Sequence, residues 1–390
     1  MWSDLLPIGR DRATGGYRRH AWTPADRTCR EWFAAEATRR GLDLTVDRNG
    51  NQWAWWGDPD ADGPGVVTGS HLDSVPDGGA YDGPLGVVAG FAAVDLLRGR
   101  EHRPDRPLGV VSFTDEEGAR FGIACAGSRL LTGSLDPDRA RSLTDGEGTT
   151  LADAMSAAGQ DPTRLGRDDE TLRRVGTLVE LHVEQGRALV DVGAPVGVAS
   201  SIRPHGRWRL DLDGVANHAG TTRLEDRDDP MLRLAAAVLA AREAATEHGA
   251  VATVGRVSVH PNGTNAIPSS VRAWLDARGR AETEVRAVVA EVAGAAGTNA
   301  VEESWTPEVT FDPVLRDRLA ARLGGVPVLP TAAGHDAGIL ADAGVEAAML
   351  FVRNPTGVSH SPAEHAEDDD CAAGVEALAT VLADLTSRPS

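Results

Sequence analysis

Seven residues scattered along the chain carry the side chains that hold and serve metal ions: His71, Asp73, Asp82, Glu116, Glu117, His182 and His360. They lie in short stretches marked by glycine, serine or proline: GSHLDSVPDGGAYDGPLGV, SFTDEEGARFG, ELHVEQG and GVSHSPAEH. Imidazole nitrogen and carboxylate oxygen together suit zinc or manganese and do not separate the two. Each motif alone is weak, since a lone His-x-Asp is usually a surface or core pair and a Glu-Glu dipeptide a solvated face. Their joint occurrence beside turn residues points to chemistry. Serine–histidine pairs invite a nucleophilic-serine reading, but no Gly-x-Ser-x-Gly elbow is present.

Two metal ions about 3.5–4 Å apart need a bridging carboxylate and terminal ligands on each side. Asp82 suits the bridge. His71 and His182 can complete one ion, and Glu117 and His360 the other. Asp73, two residues after His71, suits a role orienting that imidazole. Glu116 adjoins a ligand and suits a general base that takes a proton from an attacking water.

The elements that must position these groups follow from the hydrophobic pattern. Residues 25–41 and 85–100 have helical spacing, and LDLTVDRNGNQWAWWG reads as a hairpin turning at Asn49-Gly50. PGVVTGSHLDS (64–74) and RPLGVVSFTDEEG (106–118) are short apolar runs that end in the polar motifs. Strands alternating with helices predict an α/β fold with a mostly parallel central sheet, whose ligands collect at the carboxyl ends of the strands. From residue 203 the texture changes. RWRLDLDGVANHAG, a helix over 228–249, two alternating strands in ATVGRVSVHPNGTNAIPSSVRAWLDARG and a helix over 283–297 predict a smaller α+β sandwich inserted at 203–315. The catalytic domain is then discontinuous, covering 1–202 and 316–390, and closes with a helix in CAAGVEALATVLADLTS.

Composition narrows the partners. A formal charge of −19 over 390 residues disfavours a phosphate-backbone partner, so no nucleic acid is expected. All 39 basic residues are arginine, which leaves no lysine for a Schiff base or a Walker-type loop. Cys29, Cys125 and Cys371 are too widely spaced for a cysteine zinc site and suit a reducing cytoplasm. No signal peptide or membrane span is expected.

In order along the chain, GSHLDSVPDGGAYDGPLGV, DEEGARF, ELHVEQG, GVANHAGTT, NGTNAIP, LDAR, AAGHDAG and SHSPAEH resemble the amidase branch of the di-zinc aminoacylase/carboxypeptidase superfamily. That branch includes allantoate amidohydrolase, N-carbamoyl-L-amino-acid hydrolase and β-ureidopropionase. The histidine of ELHVEQG distinguishes it from peptidase relatives, which usually carry an acidic ligand there. The resemblance implies two divalent metals, Zn or Mn, held by His71, Asp82, Glu117, His182 and His360, with Glu116 as base. It implies a homodimer formed by the inserted lid domain, with His218 reaching the partner subunit's site to stabilise the oxyanion. It also implies that Asn265 and Arg278 clamp the carboxylate of a small-molecule substrate and that Gln185 faces its ureido or acyl end. His335 shapes or braces the site.

The chain departs from the family in two places. Thr222 is followed by Arg223-Leu224, where relatives usually read Pro-Met. In SSIRPHGRW (200–208), Gly206 stands where some allantoate-cleaving relatives carry a substrate arginine. Arg207 is adjacent, and Arg203, His205 or Arg207 can read a different acid. Three readings stay open: hydrolysis of allantoate or another N-carbamoyl amino acid, deacylation of an N-formyl or N-acyl amino acid such as N-formylglutamate, and a non-catalytic binding protein that keeps the fold.

Overall fold

The computed structural model describes residues 1–387. The chain divides into two units, Met1–Ser200 with Thr310–Ser390, and Ser201–Val309. After a short helix at Trp2–Leu5, the first contains α1 (Pro24–Arg39), β1 (Asp43–Val46), β2 (Gln52–Trp56), β3 (Gly65–His71), α2 (Pro84–Gly99), β4 (Leu108–Phe113) and α3 (Ala126–Thr132). Then β5 (Val175–Val183) and β6 (Val196–Ile202) follow. The second unit contains β7 (His205–Asp213), β8 (Asn217–His218), α4 (Pro230–His248), β9 (Val251–His260), β10 (Ala266–Ile267), β11 (Ser270–Arg278), α5 (Glu282–Ala296) and β12 (Ala300–Thr306). The chain returns through β13 (Val309–Thr310), β14 (Val328–Thr331), α6 (Asp336–Asp342), β15 (Glu346–Val352) and α7 (Asp368–Thr386).

Among the described residues, the large sheet runs β1-β2-β4-β3-β5-β15-β6-β13, with β14 also beside β6. β4, β3, β5 and β15 are mutually parallel, while β1, β2 and β6 pair antiparallel at the flanks. Every residue of β3 and β4 is buried, as continuous apolar strands covered on both faces should be. The mixed α/β class and the largely parallel sheet agree with the sequence reading. α1 begins where the Thr23 hydroxyl accepts the Asp26 N–H and Pro24 takes the first helical position. Its Trp32 and Phe33 meet Phe91 of α2 at ring-centroid distances of 6.1 and 5.0 Å, closing the main core. The hairpin falls where expected, but its turn is wider than Asn49-Gly50, because the buried Asp47 carboxylate gathers the N–H groups of Asn49 and Asn51.

The second unit is a four-stranded antiparallel sheet, β12-β7-β11-β9, with α4 and α5 on one face. Alternation decides the faces: Trp208, Leu210, Leu212, Val271, Ala273, Leu275 and Ala277 are buried against the helices. The sequence reading omitted β12 and began the insert at 203 and ended it at 315, whereas the unit runs from 201 to 309. Among the described residues, no helix is long and apolar enough to cross a membrane.

Candidate metal centre

The parallel order β4-β3-β5-β15 brings four carboxyl-terminal loops side by side. His71 ends β3, Glu116 and Glu117 follow β4, His182 lies near the end of β5, and His360 follows β15. Registers fix these strand ends level, with His71 opposite Phe113 and His182 opposite Phe351. The first helical turn of α2 is fitted to the site. Gly83, at φ +80°, comes so close to His71 that a Cβ would fall 2.4 Å from its ring.

The structure gathers all five expected ligands. Ligand atoms of His71, Asp82 and His182 lie within 4.8 Å of one another, as do those of Asp82, Glu117 and His360. Asp82 belongs to both groups. Its Oδ1 is 3.2 Å from His182 Nε2 and 3.6 Å from His71 Nε2, and its Oδ2 is 3.4 Å from His360 Nε2. Glu117 Oε2 lies 3.6 Å from the same His360 nitrogen. The residues fit a pair of divalent cations. The decisive sign is His71 Nε2, which is buried and has no hydrogen-bond partner among the described residues. An imidazole turned this way, with Nδ1 fixed 3.1 Å from the Asp73 carbonyl, presents its lone pair toward Asp82. His360 sits at φ +55°, a left-handed conformation costing on the order of 1 kcal/mol.

Asp73 stands beside the His71 ring, its carbonyl 3.1 Å and its carboxylate 3.5 Å from Nδ1. The carboxylate also accepts the backbone N–H groups of Glu116 and Glu117, both at 3.1 Å. Asp73 thus ties the Glu-Glu loop to the end of β3. Glu116 Oε2 is 3.7 Å from His71 Nε2, beside the ligand groups. Gln185 donates its amide to Asp82 Oδ2 at 2.8 Å, and the His335 ring meets that of His182 edge-on, centroids 4.5 Å apart.

The charges are strongly coupled. Burial drives Glu116 well above the usual carboxylate range, and Asp336, Glu117 and Asp73 add to this against the pull of His71. Glu117 is pushed up to about 7, by burial first and then by Asp82. Burial alone would raise Asp82, but His182, His360 and His71 outweigh it and hold it well below its ordinary value. His71 is raised well above its usual range because Glu116, Asp73 and Asp82 outweigh burial. A divalent cation among these groups favours every carboxylate in its charged form.

Sequence reasoning missed Glu364, which accepts the backbone N–H groups of Tyr81 and Asp82 at 2.9 and 3.1 Å and a hydrogen bond from the Ser359 hydroxyl at 3.2 Å. It also missed Glu180, buried on β5 and bound by the Ser70 hydroxyl and the Ala337 N–H. A glutamate in SPAEH or beside a ligand histidine carries no signal of burial.

The remaining candidates lie in the second unit. Exposed His218 and Asn265 meet at the short β8–β10 ladder, where the Ala219 N–H reaches the Asn265 carbonyl. Arg278 and Arg207 are on the helix-free face at the other end of the sheet, on either side of Asp276. Position 206 faces the opposite way, and a Cβ there would meet the Trp208 ring at 2.5 Å. A side chain at 206 therefore cannot share the face of Arg278, whereas Arg207 does.

Residues 67–384 match the model of peptidase family M20/M25/M40. The chain belongs to this family. It is 38% identical over 398 residues to N-carbamoyl-L-amino acid amidohydrolase of Geobacillus stearothermophilus, spanning 97% of this chain and 96% of the relative. It is 31% identical over 404 residues to allantoate amidohydrolase of Escherichia coli (strain K12), spanning 98% and 95%. The crystal structure of an amidase of the hydantoinase/carbamoylase family from Burkholderia vietnamiensis superposes with a TM-score of 0.91 at 28% identity, over 100% of this chain and 96% of that one. The sequence resemblance to the amidase branch therefore holds for the M20 family chain as a whole.

Proposed function

We propose that this M20-family chain is a metal-dependent amidohydrolase that cleaves a linear carbon–nitrogen bond, other than a peptide bond, in an N-carbamoyl-type amino acid. The observation that carries the reading is the pair of ligand groups sharing Asp82, with Glu116 beside them and outside both. The similarity to an N-carbamoyl-L-amino acid amidohydrolase and an allantoate amidohydrolase supports the substrate class.

His71 and His182 would hold one divalent ion, Zn or Mn, Glu117 and His360 the other, and Asp82 both. The metals, when bound, supply Lewis acidity that polarises the carbonyl and makes water easier to deprotonate. Glu116 takes the proton of the attacking water and passes it to the leaving nitrogen. Arg278 and Asn265 hold the substrate carboxylate, His218 steadies the oxyanion, and Gln185 and His335 shape the ureido end. Arg207 offers a second cation on the face of Arg278.

A homodimer completes this reading. His218 adjoins β10 and Arg278 ends the nine-residue β11 that follows it. At about 3.3 Å per residue they are on the order of 25 Å apart, too far to serve one small substrate. Two copies of the second unit can divide the roles, one supplying His218 and Asn265 and the other Arg278. The exposed edge strand β9 and the exposed apolar residues Leu232, Val238 and Leu239 of α4 suit the joint. Cytoplasmic residence suits the three free thiols.

The test is ammonia release from allantoate and from N-carbamoyl-L-amino acids by the manganese-loaded protein, with formate release from N-formylglutamate followed in parallel. Ammonia supports the reading. Formate without ammonia replaces it with the deacylase alternative, and neither product defeats both.

A further inference from the structure

The chain between β4 and α3 doubles back on itself. Three successive carbonyls accept three successive N–H groups: Thr114 from Gly127 at 2.9 Å, Asp115 from Ala126 at 3.0 Å, and Glu116 from Cys125 at 2.5 Å. This short ladder locks residue 125 opposite residue 116. Cys125 itself takes the left-handed backbone conformation, φ +55°, which a non-glycine residue adopts only where its surroundings impose it. Its side chain is buried, and the thiol Sγ lies 3.2 Å from Glu116 Oε1. The other carboxylate oxygen, Oε2, is the one that lies 3.7 Å from His71 Nε2.

We propose that Cys125 is a positioning residue for Glu116, its S–H donating to Oε1 so that Oε2 is the oxygen turned toward the ligand groups. The proposal rests on the reading of Glu116 as the general base. A carboxylate on a glutamate side chain has three rotatable bonds, and burial alone does not choose which oxygen meets the water. A thiol is a weak donor, but toward a buried carboxylate even a weak donor fixes the rotamer at small cost in basicity. Burial first, and Glu116 next, hold the thiol well above its usual range, so it remains a donor. The Ser128 hydroxyl, 3.2 Å from the Cys125 carbonyl, braces the same turn from the α3 side.

The test compares C125A with C125S in the full-length, metal-loaded protein. Both place a small side chain on the same left-handed backbone, so the difference between them reads the donor and not the shape. In C125A, kcat falls about tenfold, as expected for one hydrogen bond to a charged group. KM stays within about twofold, since the lost contact acts on the reacting step. C125S recovers most of the loss, and bound metal per chain is unchanged in both variants. A C125A enzyme as fast as wild type overturns the proposal, as does a C125S enzyme as slow as C125A or a loss of metal from either.

A second measurement reads the contact without turnover. The infrared S–H stretch of Cys125, isolated as the difference between wild type and C125A, lies below the free-thiol frequency and moves up in E116A. A band indifferent to E116A overturns the proposal even if kcat falls. Protein that is inert toward N-carbamoyl and N-formyl substrates but has the shifted band defeats the assigned reaction and leaves the Cys125–Glu116 contact standing.

Discussion

Arg278 holds Asp276 in a fork, Nε to Oδ1 at 2.7 Å and Nη2 to Oδ2 at 3.0 Å, with Arg207 3.6 Å from the same carboxylate. A planar guanidinium gripped along one edge keeps its orientation, so in the proposed clamp Asp276 would set the plane in which Arg278 meets a substrate carboxylate. Asp276→Ala is expected to raise KM roughly fivefold to tenfold while kcat changes little, the signature of lost ground-state binding. Arg278→Lys removes the fork and raises KM on the order of 100-fold. Steady-state kinetics that show kcat falling with KM unchanged would contradict the clamp.

Sharing of Asp82 between two ligand groups makes metal content diagnostic. His182→Ala and His360→Ala each remove a ligand from one group only, and each is expected to bring bound metal from two ions per chain toward one. Asp82→Ala takes a ligand from both and approaches none. Glu116→Gln leaves metal content unchanged and lowers kcat by at least about 100-fold. Elemental analysis after dialysis checks all four; equal losses for every variant would dissolve the two-group arrangement.

Cys29, fully buried on the inner face of α1, is pushed up to about 12 by burial. Its folded pKa therefore lies above the unfolded value of about 8.5, and the folded state holds the proton longer. The thiol's contribution to stability is complete below about pH 8.5 and is lost as pH rises toward 12. Melting temperature should decline across that window, and less steeply in Cys29→Ala, whose own melting temperature is lower at every pH. A decline of identical slope in both proteins would assign the alkaline loss to other groups.

Leu239 projects from α4, the helix that packs against the edge strand β9, with about two thirds of its surface exposed. A charge there opposes an apolar joint between two copies. Light scattering should find a dimer for the parent chain and a monomer for Leu239→Arg, with activity falling along with the mass because His218 then has no partner site. A fully active monomer would remove His218 from the mechanism.

The candidate ligands were legible because their chemistry is rare in combination, and the helices because their apolar spacing is regular: 228–249 against Pro230–His248, and 283–297 against Glu282–Ala296. β12 was not. AVEESWT carries two adjacent glutamates, and a half-exposed edge strand gives little alternation to detect. The roles of Glu364, Glu180 and Cys125 were invisible for a related reason. Their partners are fixed by loops meeting in space, and nothing local marks a glutamate that will be buried under a backbone N–H. Gly206 was legible as a departure, but the direction it faces came only from the pleat of β7.

β15 lies between β5 and β6 in the sheet, yet the entire second unit is encoded before it. Among the described residues, β6 pairs only with β13, β14 and β15, all of which leave the ribosome after it. During synthesis this strand waits with its backbone groups unpaired, and β5 waits with one open edge. His360 arrives later still, beyond β15. The candidate centre is consequently complete only after β15 and the loop that follows it have been made, so a chain cut short before His360 would lack one of the two ligand groups.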